Sequence, residues 1–240
     1  MRDRLVTAAI LSFAALLAPL AASAFEVQPM RHSVYPANGQ TDGLLTVKNT
    51  RSKPLPVELV VEKRVFGENG EITLVPAEED FVIFPFQALI EPGGSQAFRF
   101  QYIGDQAPEE EAAYTIHVRE VPVDLEGGFT GLRYVYSFGV VVYVEDQQAQ
   151  SDLSVSEVTR DGDALRISLV NSSPSFARLT NDRITLSQGD QKFVLEGDSL
   201  MSIADQVVIP PNSEAMLTLN LTDLDVQPGD VSVALRETPD

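Results

Sequence analysis

Leu132-Arg-Tyr-Val-Tyr-Ser-Phe-Gly-Val-Val-Val-Tyr-Val144 decides how this chain is read. Thirteen residues rich in Val, Tyr and Phe, with one Gly and no Pro or carboxylate, predict a single long β-strand. Alternation puts Tyr134, Tyr136, Phe138, Val140, Val142 and Val144 on one face, and Val135, Ser137, Gly139, Val141 and Tyr143 on the other. Both faces are mostly apolar. Such a strand is either covered on both sides within its own domain, or it keeps one face for something outside.

On the N-terminal side of this strand the chain reads as strands and turns with no amphipathic helix. Met30 to Tyr35 predicts a first strand, and Pro36-Ala-Asn-Gly39 a turn. Gly43 to Asn49 alternates with Leu45 and Val47 inward, and Pro56 to Phe66 is a long alternating strand closed by Gly67-Glu-Asn-Gly70. Phe81 to Phe86 contains Pro85, which places it at an edge or bend. Ser95 to Tyr102 and Tyr114 to Val121 alternate, the latter with Tyr114, Ile116 and Val118 on one face. About seven short strands with a turn at each join is an immunoglobulin-like sandwich pattern.

On the C-terminal side, Glu145 to Ser151 is polar and aperiodic and reads as a linker, with residues 146–151 its core. Strand grammar resumes at Leu153 to Val158 and Ala164 to Asn171. It continues through Ile184 to Gln188, Lys192 to Glu196, Asp205 to Ile209 and Met216 to Leu221, and ends with Val231 to Leu235. The expected class is therefore all-β, two immunoglobulin-like sandwiches over residues 25–145 and 152–240, the second the smaller.

Composition narrows the rest. Met1 to Arg4 is a short charged start, Leu5 to Leu20 an apolar run, and Ala22-Ser-Ala24 a small-residue cleavage box. Residues 1–24 thus read as a secretory signal peptide, with the exported chain starting at Phe25. No later segment is long and apolar enough to span a bilayer as a helix. The chain has 35 acidic against 17 basic side chains, a net charge of −18, which disfavours nucleic acid and anionic membrane as partners. There is no cysteine, so an exported fold rests on its core alone, and with His32 and His117 the only histidines a zinc site is not expected.

Local motifs carry a family resemblance. Ile90-Glu-Pro-Gly93 followed by Arg99 and Tyr102-x-Gly104 resembles the strand-turn-strand of periplasmic pilus-assembly (PapD-type) chaperones. Tyr114-Thr-Ile-His-Val-Arg-Glu-Val-Pro122 resembles a second, more specific strand of that family, and Ser33-Val-Tyr-Pro36 the end of its first strand. Asn171 to Leu179 and Ile209-Pro-Pro-Asn-Ser213 loosely resemble pieces of its second domain. The resemblance implies two immunoglobulin-like domains set as a boomerang, in the periplasm. It implies binding of fimbrial subunits that lack their last strand, by lending one. An outer-membrane usher is the implied second partner, self-capping through the same strand a further use of it, and no cofactor is implied.

The lent strand would be residues 132–144, with Tyr134, Val135, Tyr136, Phe138, Val140 and Val142 as the subunit-binding residues. Alignment to the family favours the small set Val135, Ser137 and Gly139. Bulk favours Tyr134, Tyr136 and Phe138, and the sequence leaves the two open. The family holds the subunit's C-terminal carboxylate with an Arg of the first strand and a Lys of the lent strand. Here the Arg slot falls on His32 with Arg31 beside it, and the Lys slot on Val140, so Arg31 and His32 are the candidate anchor.

The remaining signals have plain readings. His117 predicts a hydrogen-bonded structural histidine, Arg119-Glu120 a structural pair, and Glu109 to Glu111 a solvated loop end. Asp161-Gly-Asp163 is a hairpin turn, with too few following oxygen ligands for calcium. No nucleophile elbow, zinc-protease or P-loop pattern occurs, and no feature argues for an enzyme. The competing reading is a structural or adhesive cell-surface sandwich that kept the fold without client binding.

Overall fold

A computed structural model describes residues 25–67, 71–122, 135–201, 208–224, 226 and 229–235. The expected signal peptide, the Gly67–Gly70 turn beyond Gly67, and Leu132, Arg133 and Tyr134 lie outside the described residues.

The first sandwich is built from ten strands in two sheets. One sheet has the order β1 (Phe25–Gln28), β3 (Asp42–Asn49), β8 (Ser95–Tyr102), β6 (Phe81–Phe84). The other has the order β2 (Arg31–Val34), β10 (Ser137–Val144), β9 (Ala112–Glu120), β4 (Leu55–Phe66), β5 (Ile72–Pro76), with β7 (Gln87–Ile90) also on β4. Period-two alternation does the folding work: Leu45 and Val47, Phe98 and Phe100, and Ile116 and Val118 all enter one buried core. At Gly43 a Cβ would stand 2.0 Å from the Phe100 ring, so only glycine lets that ring lie across β3. β6 is an edge strand, as Pro85 at its end requires.

The sequence reading missed that the chain enters through two strands. β1 pairs antiparallel with β3 and β2 parallel with β10, so the first ten described residues, Phe25 to Val34, divide between the sheets, with Pro29 and Met30 between the two strands. β1 was illegible because Phe25-Glu-Val-Gln28 is too short to show a period.

The second core is separate and gathers Leu165, Ile167, Leu169, Ile184, Leu186, Leu217 and Leu219. Its sheets run β11 (Leu153–Asp161), β12 (Ala164–Asn171), β17 (Ser213–Asn220) and β15 (Gln191–Glu196), β14 (Arg183–Gln188), β18 (Ser232–Leu235). A short ladder joins β13 (Ala177–Arg178) to β16 (Val208–Ile209).

Both domains use one device at a strand end. Asn49, closing β3, donates to the Ile90 and Lys53 carbonyls and accepts from the Arg51 amide. Asn171, closing β12, donates to the Ser175 and Pro210 carbonyls and accepts from the Ser173 amide. Each buried amide satisfies loop backbone that would otherwise be orphaned.

Candidate functional site

Within the described residues β10 begins at Ser137, not Leu132, and its two edges differ. β9 pairs with all eight residues, Ser137 through Val144. β2 covers only Val141 to Val144 on the other edge. Among the described residues no strand meets the free edge of Ser137 to Val140. Odd-numbered residues point their backbone groups that way, as Val141 N–H donating to the Met30 carbonyl shows, so Ser137 and Gly139 offer theirs to a newcomer.

Burial sorts the candidate residues. Val140 and Val142 are 0 % exposed inside the domain's own core. Their side chains, expected in the subunit-binding set, are used by this domain's own core. Phe138 is half-buried against the same core, with its ring 4.8 Å from that of Phe25. Val135 and Tyr136 lie outside any strand and stay 50 % and 39 % exposed. The even face of the long stretch is therefore core from Phe138 onward and opens to solvent at Tyr136. Val141 and Tyr143, on the odd face, are covered by the second domain.

That cover is an interdomain contact. Phe176, leading into β13, sits with Tyr143 and Ala113 in a third buried cluster, flanked by Phe66, Val141 and Val208. Its ring meets Tyr143 edge-on at 5.0 Å and Phe66 at 5.9 Å. Beside it, Glu111 accepts from the Phe176 amide at 2.7 Å and the Asp146 amide at 3.0 Å, while its own N–H donates to the Pro174 carbonyl. Glu111 is thus a bridge between domains, not the solvated loop end expected; desolvation holds its carboxyl above the usual range, against the two amide donors. Glu145 is buried too, paired with Arg178 of the second domain, so the predicted linker starts one residue later than its polarity suggested. A cleft of about 920 Å³ opens next to this contact, lined by Lys63, Arg64, Phe66, Glu111, Asn212 and Glu214.

Alternation also separates the candidate anchor residues. His32 pairs with Val142 and turns inward, its ring 5.1 Å from Phe100 and Nε2 3.3 Å from the Asp42 carbonyl. Arg31 pairs with Val141 and shares the odd face with Tyr143, its guanidinium 5.9 Å from the centre of that ring. The two are on opposite faces and cannot grip one carboxylate together. The β10 residue beside Arg31 is Val141. Arg178 reaches the same Tyr143 ring at 5.1 Å, but Glu145 occupies its charge.

The rest of the β9 motif is structural. His117 Nε2 lies 2.8 Å from Glu62 Oε2, which also accepts from Arg119 at 3.1 Å. Burial pushes the His117 pKa down, opposed by Glu62 and helped by Arg119 and Arg64. Arg119 and Glu120 do not pair with each other as expected. Alternation sends them to opposite faces, and Glu120 takes Arg51 instead, in a two-pronged contact at 2.8 and 2.9 Å. A Cβ at Gly139 would stand 2.9 Å from Thr115 Cγ2, so glycine makes room for the Thr115 side chain that lies over it.

No family model and no curated protein sequence matches the chain. Solved structures do. The E. coli chaperone DraB aligns over 87 % of this chain and 89 % of its own, with a TM-score of 0.51 and 20 % identity. The fold is that of the fimbrial chaperones. The complex of the chaperone CsuC with the tip subunit CsuE, from archaic chaperone-usher Csu pili of Acinetobacter baumannii, aligns over 89 % of this chain and 98 % of the other, with a TM-score of 0.52 and 14 % identity. The Salmonella enterica SafA pilin in complex with the SafB chaperone gives 0.51 and 15 %, over 82 % and 85 %. The likeness spans both sandwiches, which motif reading reached firmly only for the first.

Proposed function

We propose that this chain is a periplasmic chaperone for fimbrial subunits whose sandwich lacks a strand, and that it lends them the stretch entering β10. The observation that carries the reading is the one-sided pairing of Ser137 to Val140 beside the exposed Val135 and Tyr136. A subunit missing a strand has unpaired backbone and an apolar groove; a free edge with projecting side chains supplies both needs. Tyr136, with Tyr134 before it, supplies the apolar side chains, and Ser137 and Gly139 the first backbone partners. Arg31, exposed beside Tyr143, binds the subunit's C-terminal carboxylate alone, a charge-assisted contact that fixes register.

In this reading residues 1–24 direct export, 25–145 lend the strand, 146–151 link, and 152–240 form the second domain. An outer-membrane usher receives the subunit. Without a client, a second copy of this chain occupies the free edge. No catalytic group is required. Among the described residues no helix is long and apolar enough to cross a membrane.

The test is co-expression with truncated subunits from the host's own fimbrial genes, followed by pull-down. The expected result is a one-to-one complex that keeps the subunit from aggregating. Failure to retain any subunit refutes the proposal.

A further inference from the structure

Tyr136 is held more firmly than a solvent-exposed residue outside any strand needs to be. Its carbonyl accepts from the Glu120 amide at 3.0 Å. Its ring lies 5.4 Å from the Arg51 guanidinium. That guanidinium is fixed by both Glu120 carboxylate oxygens, at 2.8 and 2.9 Å, with only 18 % of the Arg51 side chain and 7 % of Glu120 exposed. The Arg51 amide is tied to Asn49, whose own side chain is buried. On its other side the guanidinium stands 5.8 Å from the Phe25 ring, which in turn meets Phe138. Tyr136, Arg51, Phe25 and Phe138 therefore interleave, two even-numbered residues of the stretch entering and opening β10 alternating with Arg51 and Phe25 of the chain's own body.

We infer that Arg51, locked by Glu120, is a positioning residue for strand lending. It fixes the ring and, through Glu120, the backbone of Tyr136, and so sets the direction in which the lent segment leaves the sandwich. This rests on the strand-lending reading. Planar stacking on an aromatic ring and a two-pronged carboxylate contact both require a guanidinium. Because Glu120 already neutralises it, Arg51 is not a second carboxylate anchor. A segment whose root is already ordered loses less freedom when a client closes on it, and the benefit falls on capture.

The test uses the full exported chain and the truncated subunit that co-purifies with it. Association is followed for the unsubstituted chain, Arg51→Lys, Arg51→Met, Tyr136→Ser and Arg51→Met/Tyr136→Ser, with melting temperature measured on each. Arg51→Lys keeps a charge for Glu120 and loses the stacked plane. Roughly three- to tenfold slower association is expected for Arg51→Lys and for Arg51→Met, the cost of re-ordering one aromatic side chain at its root. The double variant should be no slower than Tyr136→Ser. A purely structural Arg51 would lower the melting temperature and leave association of the folded fraction within about twofold of the unsubstituted chain. That result, or effects of Arg51→Met and Tyr136→Ser that multiply, overturns the inference. If the unsubstituted chain retains no subunit, the chaperone reading fails and this inference with it.

Discussion

Truncating Phe176 to alanine asks whether the two domains act as one body. The ring is buried at the interdomain contact, among Tyr143, Phe66 and Ala113, and belongs to neither main core. Removing a buried phenylalanine ring costs about 3–5 kcal/mol, of which the two edge-on contacts contribute roughly 0.5–1.5 kcal/mol each. The domains can drift to close part of the void, so the low end, about 3 kcal/mol, applies. Each 1.4 kcal/mol is tenfold, so coupling between the domains weakens by roughly two orders of magnitude. For a chain of this size about 3 kcal/mol lowers the melting temperature by ~6–12 °C. Scanning calorimetry should show the first domain's transition separating from the second's, and small-angle scattering a wider distribution of interdomain distances. The second core lacks Phe176 and should keep its own transition. One unchanged transition, within about 2 °C of the unsubstituted chain, would refute the idea that this ring couples the domains.

Other substitutions separate folding from function. Val140→Asp places an unpaired carboxylate in a 0 % exposed site, costs several kcal/mol and should unfold the first domain by circular dichroism; Tyr136→Asp should shift stability by about 1 kcal/mol or less yet abolish subunit pull-down. Arg31→Ala should weaken subunit binding by about tenfold in isothermal titration and flatten its salt dependence, whereas His32→Ala should leave affinity within about twofold. Asn171→Ala takes one of two side-chain donors from each of the Ser175 and Pro210 carbonyls, which keep the Ser173 and Ser213 hydroxyls, and removes the acceptor of the buried Ser173 amide; it should cost about 1–2 kcal/mol in urea unfolding. His117 is held below the ordinary histidine value by burial, so the unfolded chain binds its proton more readily. Its contribution is present above about pH 6.5 and lost as pH falls through the folded pKa. His117→Gln should therefore reduce the drop in urea midpoint between pH 7.5 and 5.5, and an identical drop in both proteins would contradict it.

What the sequence disclosed follows from how local each signal is. Leu45 and Val47, or Tyr114, Ile116 and Val118, declare their face because their neighbours are polar and the period is two. Residues 137–144 do not, because Val141 and Tyr143 are apolar for a reason far off in the chain: Phe176 covers them. Arg31 and His32 stand side by side in the sequence and differ only in which face they take, which depends on the pairing with β10. Glu111 and Glu145 read as ordinary surface acids, and Glu120 as the partner of its neighbour Arg119, because their actual partners, Phe176, Arg178 and Arg51, lie 33 to 69 positions away. A signal for Arg51 existed only as a charge next to the Asn49 strand end. Long-range pairing of this kind leaves no periodic trace.

β2 grips only the second half of β10, and that has a kinetic consequence. A foreign strand can zip along the vacant half without breaking a single bond of the host sheet, and can peel away leaving the host as it was. Neither arrival nor departure then waits on the carrier's own unfolding. For a strand lent along that edge, residence time would then be set by the visitor's own contacts.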